Sequence, residues 1–238
     1  MTRVLDPRHV SPGRLLAACT AMLAVAAVLG GLLLADVASP PFLGLDHAWA
    51  GFVTGLRSPF WDGTNAFLNI AGYRGVLLLH GLLVVALLVR RRPRAAVFSA
   101  AAGVAVLILT QLLKAALLRE RPHNTVVLTD TGSFPSGHVA STTAFVLVLA
   151  LLMAKAWVWL VAGAGTVAMM ISRTYLSAHW LTDTVGALCL AAPVVLLLWL
   201  GWQQSCIREN ADARRLLSWR ARASRRRRAA APPESAPR

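Results

Sequence analysis

Between Leu15 and Trp202 the chain is a succession of apolar segments, each about twenty residues long, parted only by short polar breaks. Runs of about 18 or more apolar residues read as transmembrane helices, so the pattern predicts an all-α polytopic membrane protein. With 57% hydrophobic and only 14% charged residues, and a mean hydropathy of +0.60, the composition is too apolar for a soluble domain of this size. A length of 238 residues suits one compact membrane domain.

The first span is Leu15–Ala35, the second about Thr64–Leu88 and the third about Ala95–Leu118. A basic start and the Ala35-Asp36-Val37-Ala38 that follows give the first a superficial likeness to a signal peptide. Its apolar run is long for one and predicts a retained helix. From His138 to Ser177 the chain is almost continuously apolar, broken by Lys155 and Arg173. As one helix it would set His138 and Arg173 about 52 Å apart, against a hydrocarbon core of about 30 Å. Two helices with a turn near Ala154-Lys155-Ala156 return both residues to one side. The sixth span is about His179–Trp202, with Pro193 tolerated as a kink. Residues 39–62, with Pro40-Pro41, Asp46, Trp49 and Trp61, read as an interfacial helix and loop on the outer face. The expected organisation is a cytoplasmic N-terminus (1–14), a six-helix membrane domain (15–202) and a basic, disordered cytoplasmic tail (203–238).

A net charge of +14 invites a nucleic-acid function, but its distribution points elsewhere. If both termini face the cytoplasm, then of 24 Lys and Arg only Arg57, Arg74, Lys114, Arg119, Arg121 and Arg173 lie outside. This is the positive-inside pattern of a multi-pass protein of the cell membrane. The Arg214–Arg228 segment, with Trp219 among its arginines, offers a surface for anionic lipid headgroups; a solvated tail is the plainer expectation. Arginines without a folded recognition element predict no nucleic-acid partner. Cys19, Cys189 and Cys206 fall in or beside spans, where apolar packing is the default.

This topology gathers three short stretches on the extracytoplasmic face. Lys114 ends the third span, and Arg121-Pro122 follows seven residues on, two helical turns away. Arg119 and Arg121 read equally well as interfacial charges. Pro135-Ser136-Gly137-His138 opens the fourth span. Ser136 suits an N-cap, Gly137 allows close approach to the backbone, and the helix start offers N–H groups to an anion. An imidazole there can hand a proton to a leaving oxygen. Arg173 ends the fifth span with a fork suited to phosphate. His179 and Asp183, four apart, face the same way, so the carboxylate can fix the tautomer and leave one nitrogen as base or nucleophile. Intramembrane charges are costly and mark functional sites; together these residues describe an anion pocket with a nucleophile inside. His123, two past Arg121, is a candidate for the pocket wall. His9, His47 and His80 have no such partners and read as structural or surface residues. A divalent metal on His138, His179 and Asp183 would be opposed by three nearby cations, so no metal and no other cofactor is expected.

Lys114-x6-Arg121-Pro122, Pro135-Ser136-Gly137-His138 and Ser172-Arg173-x5-His179-x3-Asp183 resemble, in order, spacing and identity, the three-part motif of the type 2 phosphatidic acid phosphatase superfamily. The likeness covers about Trp61 to Leu200 and is nearest to six-span bacterial lipid phosphatases, including those acting on undecaprenyl diphosphate, phosphatidylglycerol phosphate and phosphatidic acid. It implies that His179 attacks phosphorus to form a phosphohistidine and that Asp183 orients it. It implies that His138 protonates the leaving group and later activates water. Lys114, Arg121 and Arg173 would hold phosphoryl oxygens, helped by Ser136 and the Gly137 N–H.

The function expected is hydrolysis of a lipid phosphate or diphosphate at the outer face, with polyprenyl diphosphate favoured over phosphatidylglycerol phosphate or phosphatidic acid. The soluble haloperoxidases of the same superfamily share the site, but the spans argue against that chemistry. A non-catalytic membrane scaffold is the competing class; the intact constellation of His138 and His179 opposes it.

Overall fold

The structure, a computed structural model, describes residues 11–128 and 132–229. Those residues contain no strand. The helices are α1 (Pro12–Ala35), α2 (Leu43–Thr54), α3 (Pro59–Ile70), α4 (Val76–Val89), α5 (Pro93–Leu117), α6 (Gly137–Met153), α7 (Ala156–Tyr175) and α8 (Leu181–Ala229). A π turn at Ala71–Gly75 joins α3 and α4 into one span of 31 residues.

Local chemistry explains most of the boundaries. Ser11 and Ser58 each accept from the backbone N–H three residues on, just ahead of Pro12 and Pro59. Proline at the first helical position gives up an N–H that has no helical partner anyway. The turn expected near Ala154 is there: Ala154 takes a left-handed φ of 51°, and α7 starts at once from Lys155. Neither Gly nor Pro marks it, which is why only the length argument could find it.

Six spans are predicted; among the described residues five helices are both apolar and 18 residues or longer, and α6 has 17. At 1.5 Å per residue α6 is about 26 Å long, short of a hydrocarbon core of about 30 Å. The last span also differs from expectation. It starts at Leu181, and α8 runs unbroken to Ala229 instead of giving way to a disordered tail at 203. Arg and Ala dominate this stretch and are strong helix formers. Residues 230–238 lie outside the described residues.

At the centre, α6 packs against α5, α7 and α8, and Phe98, Val106, Val139, Val148 and Val195 form a dry core. α1 lies along α8 with Cys19 buried, and its Leu33 packs against Leu117 and Phe134. The outward faces of α1, α4, α5 and α7 expose Val28, Leu78, Leu112 and Leu160, as lipid contact requires. Cys189 and Cys206 are buried in α8 and all three cysteines are free thiols, in keeping with packing.

The start of α5 has no local cap. Glu209 on α8 instead accepts from the N–H groups of Arg94 and Ala95 at 2.8 and 3.1 Å. Glu209→Ala orphans two donors, and we expect a loss of about 1–2 kcal/mol, read as a lowered thermal midpoint of the purified protein. The same contact fixes the polarity of the bundle. Arg90–Arg94 and Arg208 share one end of α5, while Lys114 lies near the other, in a helix about 37 Å long.

Candidate active site

Five chain segments meet at the Lys114 end of α5: the α5–α6 loop, the start of α6, the end of α7, the start of α8 and the π turn. They enclose a cavity of about 630 Å³ lined by Asn69, Ile70, Tyr73, Arg74, Arg121, Val127, Leu128, His138, Arg173 and His179. Of the predicted residues, Arg121, His138, Arg173 and His179 form its wall. Lys114, Ser136, Gly137 and Asp183 stand behind it.

The loop is tied by its own backbone. Leu118 ends α5 in a left-handed conformation (φ 46°), so Arg121 does not continue that helix as the two-turn spacing suggested. The Gly132 carbonyl gathers the two cations instead, accepting from Lys114 Nζ and from Arg121 Nη2, both at 2.9 Å. Gly132 itself has φ 69°, and a Cβ there would stand 3.0 Å from the Lys114 carbonyl oxygen. Ser133 closes the loop, its N–H bonding the Arg119 carbonyl and its hydroxyl the Glu120 carbonyl.

His179 lies between α7 and α8, 4% exposed. Its Nδ1 is 2.8 Å from the Ser133 carbonyl oxygen. A carbonyl can only accept, so Nδ1 carries the proton and Nε2 keeps its lone pair. Asp183 Oδ2 is further off, 3.5 Å from the same nitrogen. The direct partner of the imidazole is thus Ser133, and Asp183 supports it from one step away. Nε2 accepts from Arg121 Nη1 at 3.4 Å, and that guanidinium also donates to the Ala178 carbonyl. Burial, and after it the charges of Arg121, Arg173, Lys114 and His138, hold the His179 imidazole well below its ordinary value. It is therefore neutral where an exposed histidine, titrating at about 6.5, would begin to charge.

If Nε2 of His179 is the nucleophile, its protonation abolishes activity, which is then present above the folded value and lost as pH falls through it. Arg121→Gln removes one opposing cation and raises that value. We expect the acid limb of kcat/KM to move to higher pH than in the unmodified protein on the same substrate. An unmoved limb would show that this imidazole does not govern it.

His138 opens α6, and its Nε2 is 3.1 Å from the Asn69 carbonyl oxygen. Its ring lies against Tyr73, centroids 5.5 Å apart. Asn69 also receives Arg173, Nη1 to Oδ1 at 2.6 Å. An i→i+5 turn widens the helix and changes which carbonyls it uses internally, in keeping with the Asn69 carbonyl facing His138 and with the Gly72 carbonyl, three residues on, accepting from Thr142 on α6. Gly72 gives this packing room: a Cβ would come within 2.4 Å of the Met169 Cε and 3.0 Å of the His138 ring, so the Met169 side chain would have to move.

Ser136 precedes α6 as expected, but its hydroxyl makes no capping bond and is buried without a hydrogen-bond partner among the described residues. Gly137 is buried, with room for a Cβ only in contact with Tyr73 (3.5 Å) and Lys114 (4.0 Å). His123 is exposed and outside the cavity wall, contrary to expectation. Arg119 is the larger correction: it is no interfacial charge but is 3% exposed, bonded to Asp46 and Asp183 at 2.6 Å each. Asn69, Tyr73, Arg74, Ser133 and Asp46 were not anticipated. Asn69, Tyr73 and Arg74 sit in an apolar span beside Gly72 and Gly75, and two glycines do not by themselves specify a widened turn. His80, predicted structural, bonds the carbonyl and hydroxyl of Ser99 inside the bundle, away from the cavity.

Residues 93–206 match the PAP2 superfamily model. Among solved structures, the chain is similar to the crystal structure of a transmembrane PAP2-type phosphatidylglycerolphosphate phosphatase from Bacillus subtilis. The TM-score is 0.69 at 21% identity, over 79% of this chain and 96% of that one. Among curated proteins none matches.

Proposed function

We propose that the chain is a member of the PAP2 superfamily, whose model matches residues 93–206, and that it is an integral-membrane phosphatase of lipid phosphates working through a phosphohistidine on His179. The observation that carries this is the His179 geometry: Nδ1 held by a carbonyl, Nε2 unprotonated, and Arg121 and Arg173 in the same cavity wall. Nε2 attacks phosphorus while Arg121 exchanges its bond to Nε2 for phosphoryl oxygens, joined by Arg173. Lys114 adds charge from behind the wall, and the Ser136 hydroxyl and Gly137 N–H bring the anion-binding start of α6. His138 gives a proton to the leaving oxygen as the P–O bond breaks, then takes one from the water that cleaves the phosphohistidine. Phosphoryl transfer asks chiefly for such positioning and charge stabilisation, and the fixed cations supply it without a metal.

The cavity wall also argues for a lipid. Ile70, 75% exposed, and Leu128, fully exposed, border the same space as the arginines. A headgroup and the start of an acyl or prenyl chain would meet matching surfaces. Arg74 adds a cation outside the motif set, which favours a diphosphate; polyprenyl diphosphate is the substrate we favour. The similarity to a phosphatidylglycerolphosphate phosphatase favours that lipid, or phosphatidic acid, as the second reading. The basic end of the bundle, opposite the cavity, supports an extracytoplasmic site with cytoplasmic termini.

The test is phosphate release by purified protein in EDTA from polyprenyl diphosphate, phosphatidylglycerol phosphate and phosphatidic acid. Release from at least one, fastest from the diphosphate, is expected. Silence on all three from folded protein would favour a scaffold, and a requirement for added metal would remove the metal-free mechanism.

A further inference from the structure

Behind the cavity wall, Asp46, Arg119, Thr182 and Asp183 meet with almost no exposure: 0%, 3%, 5% and 0%. Buried charges are tolerated only when paired and hydrogen-bonded, and here every charged oxygen has a donor. Arg119 Nη1 donates to Asp183 Oδ1 at 2.6 Å and to the Thr182 hydroxyl at 2.8 Å; Nη2 donates to Asp46 Oδ2 at 2.6 Å. Asp46 Oδ1 accepts from the Thr182 N–H, and Oδ2 from its hydroxyl. The guanidinium is further held by the rings of Phe42 and Trp180, at 5.4 and 5.5 Å.

None of these four residues lines the cavity, so none is placed to touch a phosphoryl group. Their effect runs through Asp183. With Oδ1 bound to Arg119, the carboxylate turns Oδ2 toward the Trp180 N–H (2.8 Å) and His179 Nδ1 (3.5 Å). Arg119 therefore decides how the carboxylate plane meets the imidazole. Asp46 fixes Arg119 from its far side and shares its charge, so Asp183 is not drawn fully into one tight pair. Asp46 sits in the first turn of α2, on a helix outside the family-matched segment.

We propose that Asp46 and Arg119 are positioning residues for the phosphoryl transfer, latching α2 to the His179–Asp183 pair so that Nε2 is aimed at phosphorus. This rests on the phosphatase reading above. A latch that merely stabilised the fold would lower the melting point and leave turnover alone; a positioning latch lowers kcat while substrate binding persists.

The experiment compares Asp46→Asn and Arg119→Lys with the unmodified full chain, on whichever lipid phosphate it hydrolyses fastest. Asn is isosteric and can still accept from the Thr182 N–H; Lys keeps the charge but cannot span two carboxylates. We expect kcat per folded molecule to fall about 10- to 100-fold in each, with KM changed less than about threefold, at a temperature well below each melting midpoint. Full kcat with a lowered midpoint would overturn the proposal and leave a structural latch. Should Arg119→Lys not fold, Asp46→Asn decides alone. An unmodified protein inactive on all the lipid phosphates would overturn the phosphatase reading and this inference with it, an outcome distinct from active variants.

Discussion

His179→Ala is expected to reduce phosphate release to background, a loss on the order of 10⁴-fold or more. No other group stands ready to replace it. Asp183 does not line the cavity and is committed to Arg119 and the Trp180 N–H, and His138 is bonded to the Asn69 carbonyl. Arg121 and Arg173 remain, so inorganic phosphate should still bind and protect the variant against heat. That pairing of retained binding with lost turnover separates the chemical role from a folding defect. The Ser133 carbonyl loses its donor, a cost of about 1–3 kcal/mol, small enough to leave folded protein for assay. Substantial turnover by the alanine variant would place the nucleophile elsewhere.

His138→Gln should give the second largest effect, and its size should depend on the leaving group. A lipid alkoxide leaves poorly without a proton, so a loss of about 10²–10⁴-fold is expected on a lipid phosphomonoester. An aryl phosphate carries a leaving group that departs without help, and its rate of enzyme phosphorylation should fall much less. Glutamine retains a donor for the Asn69 carbonyl, which limits rearrangement of the π turn. Pre-steady-state release of the aryl alcohol reads the first step alone. Equal losses on both substrates would assign His138 to binding or structure instead of proton transfer.

Much of the site is legible in the chain because its chemistry sits at helix ends. Lys114, Arg121, His138, Arg173 and His179 follow or precede apolar runs, and span length alone folds the His138–Ser177 segment back on itself. The left-handed turn at Ala154 confirms that argument, although no residue there announces it. What stayed hidden depends on geometry that hydropathy does not encode. The π turn at Ala71–Gly75 is marked in the chain only by Gly72 and Gly75, which do not by themselves specify a widened turn, yet Asn69 just before it reaches both His138 and Arg173. Asp46 is a single carboxylate in an interfacial helix, and only the tertiary fold carries it to Arg119, 73 positions away. Arg119 was readable as a surface charge because a helix-end arginine usually is one; two buried carboxylates make it otherwise. Ser133 contributes a carbonyl, and backbone groups leave no trace in residue identity. The helix beyond Trp202 was masked by its charge, since arginine-rich segments suggest solvated chain while arginine itself favours helix.

The most direct test of the account is rapid quenching of the purified protein during turnover of a substrate labelled with ³²P in its terminal phosphoryl group. The expected result is label on the protein that is stable in alkali and labile in acid, as a phosphohistidine is, maps to His179 and is absent from His179→Ala. Turnover at full rate with no label on the protein, or label that persists in His179→Ala, would contradict it.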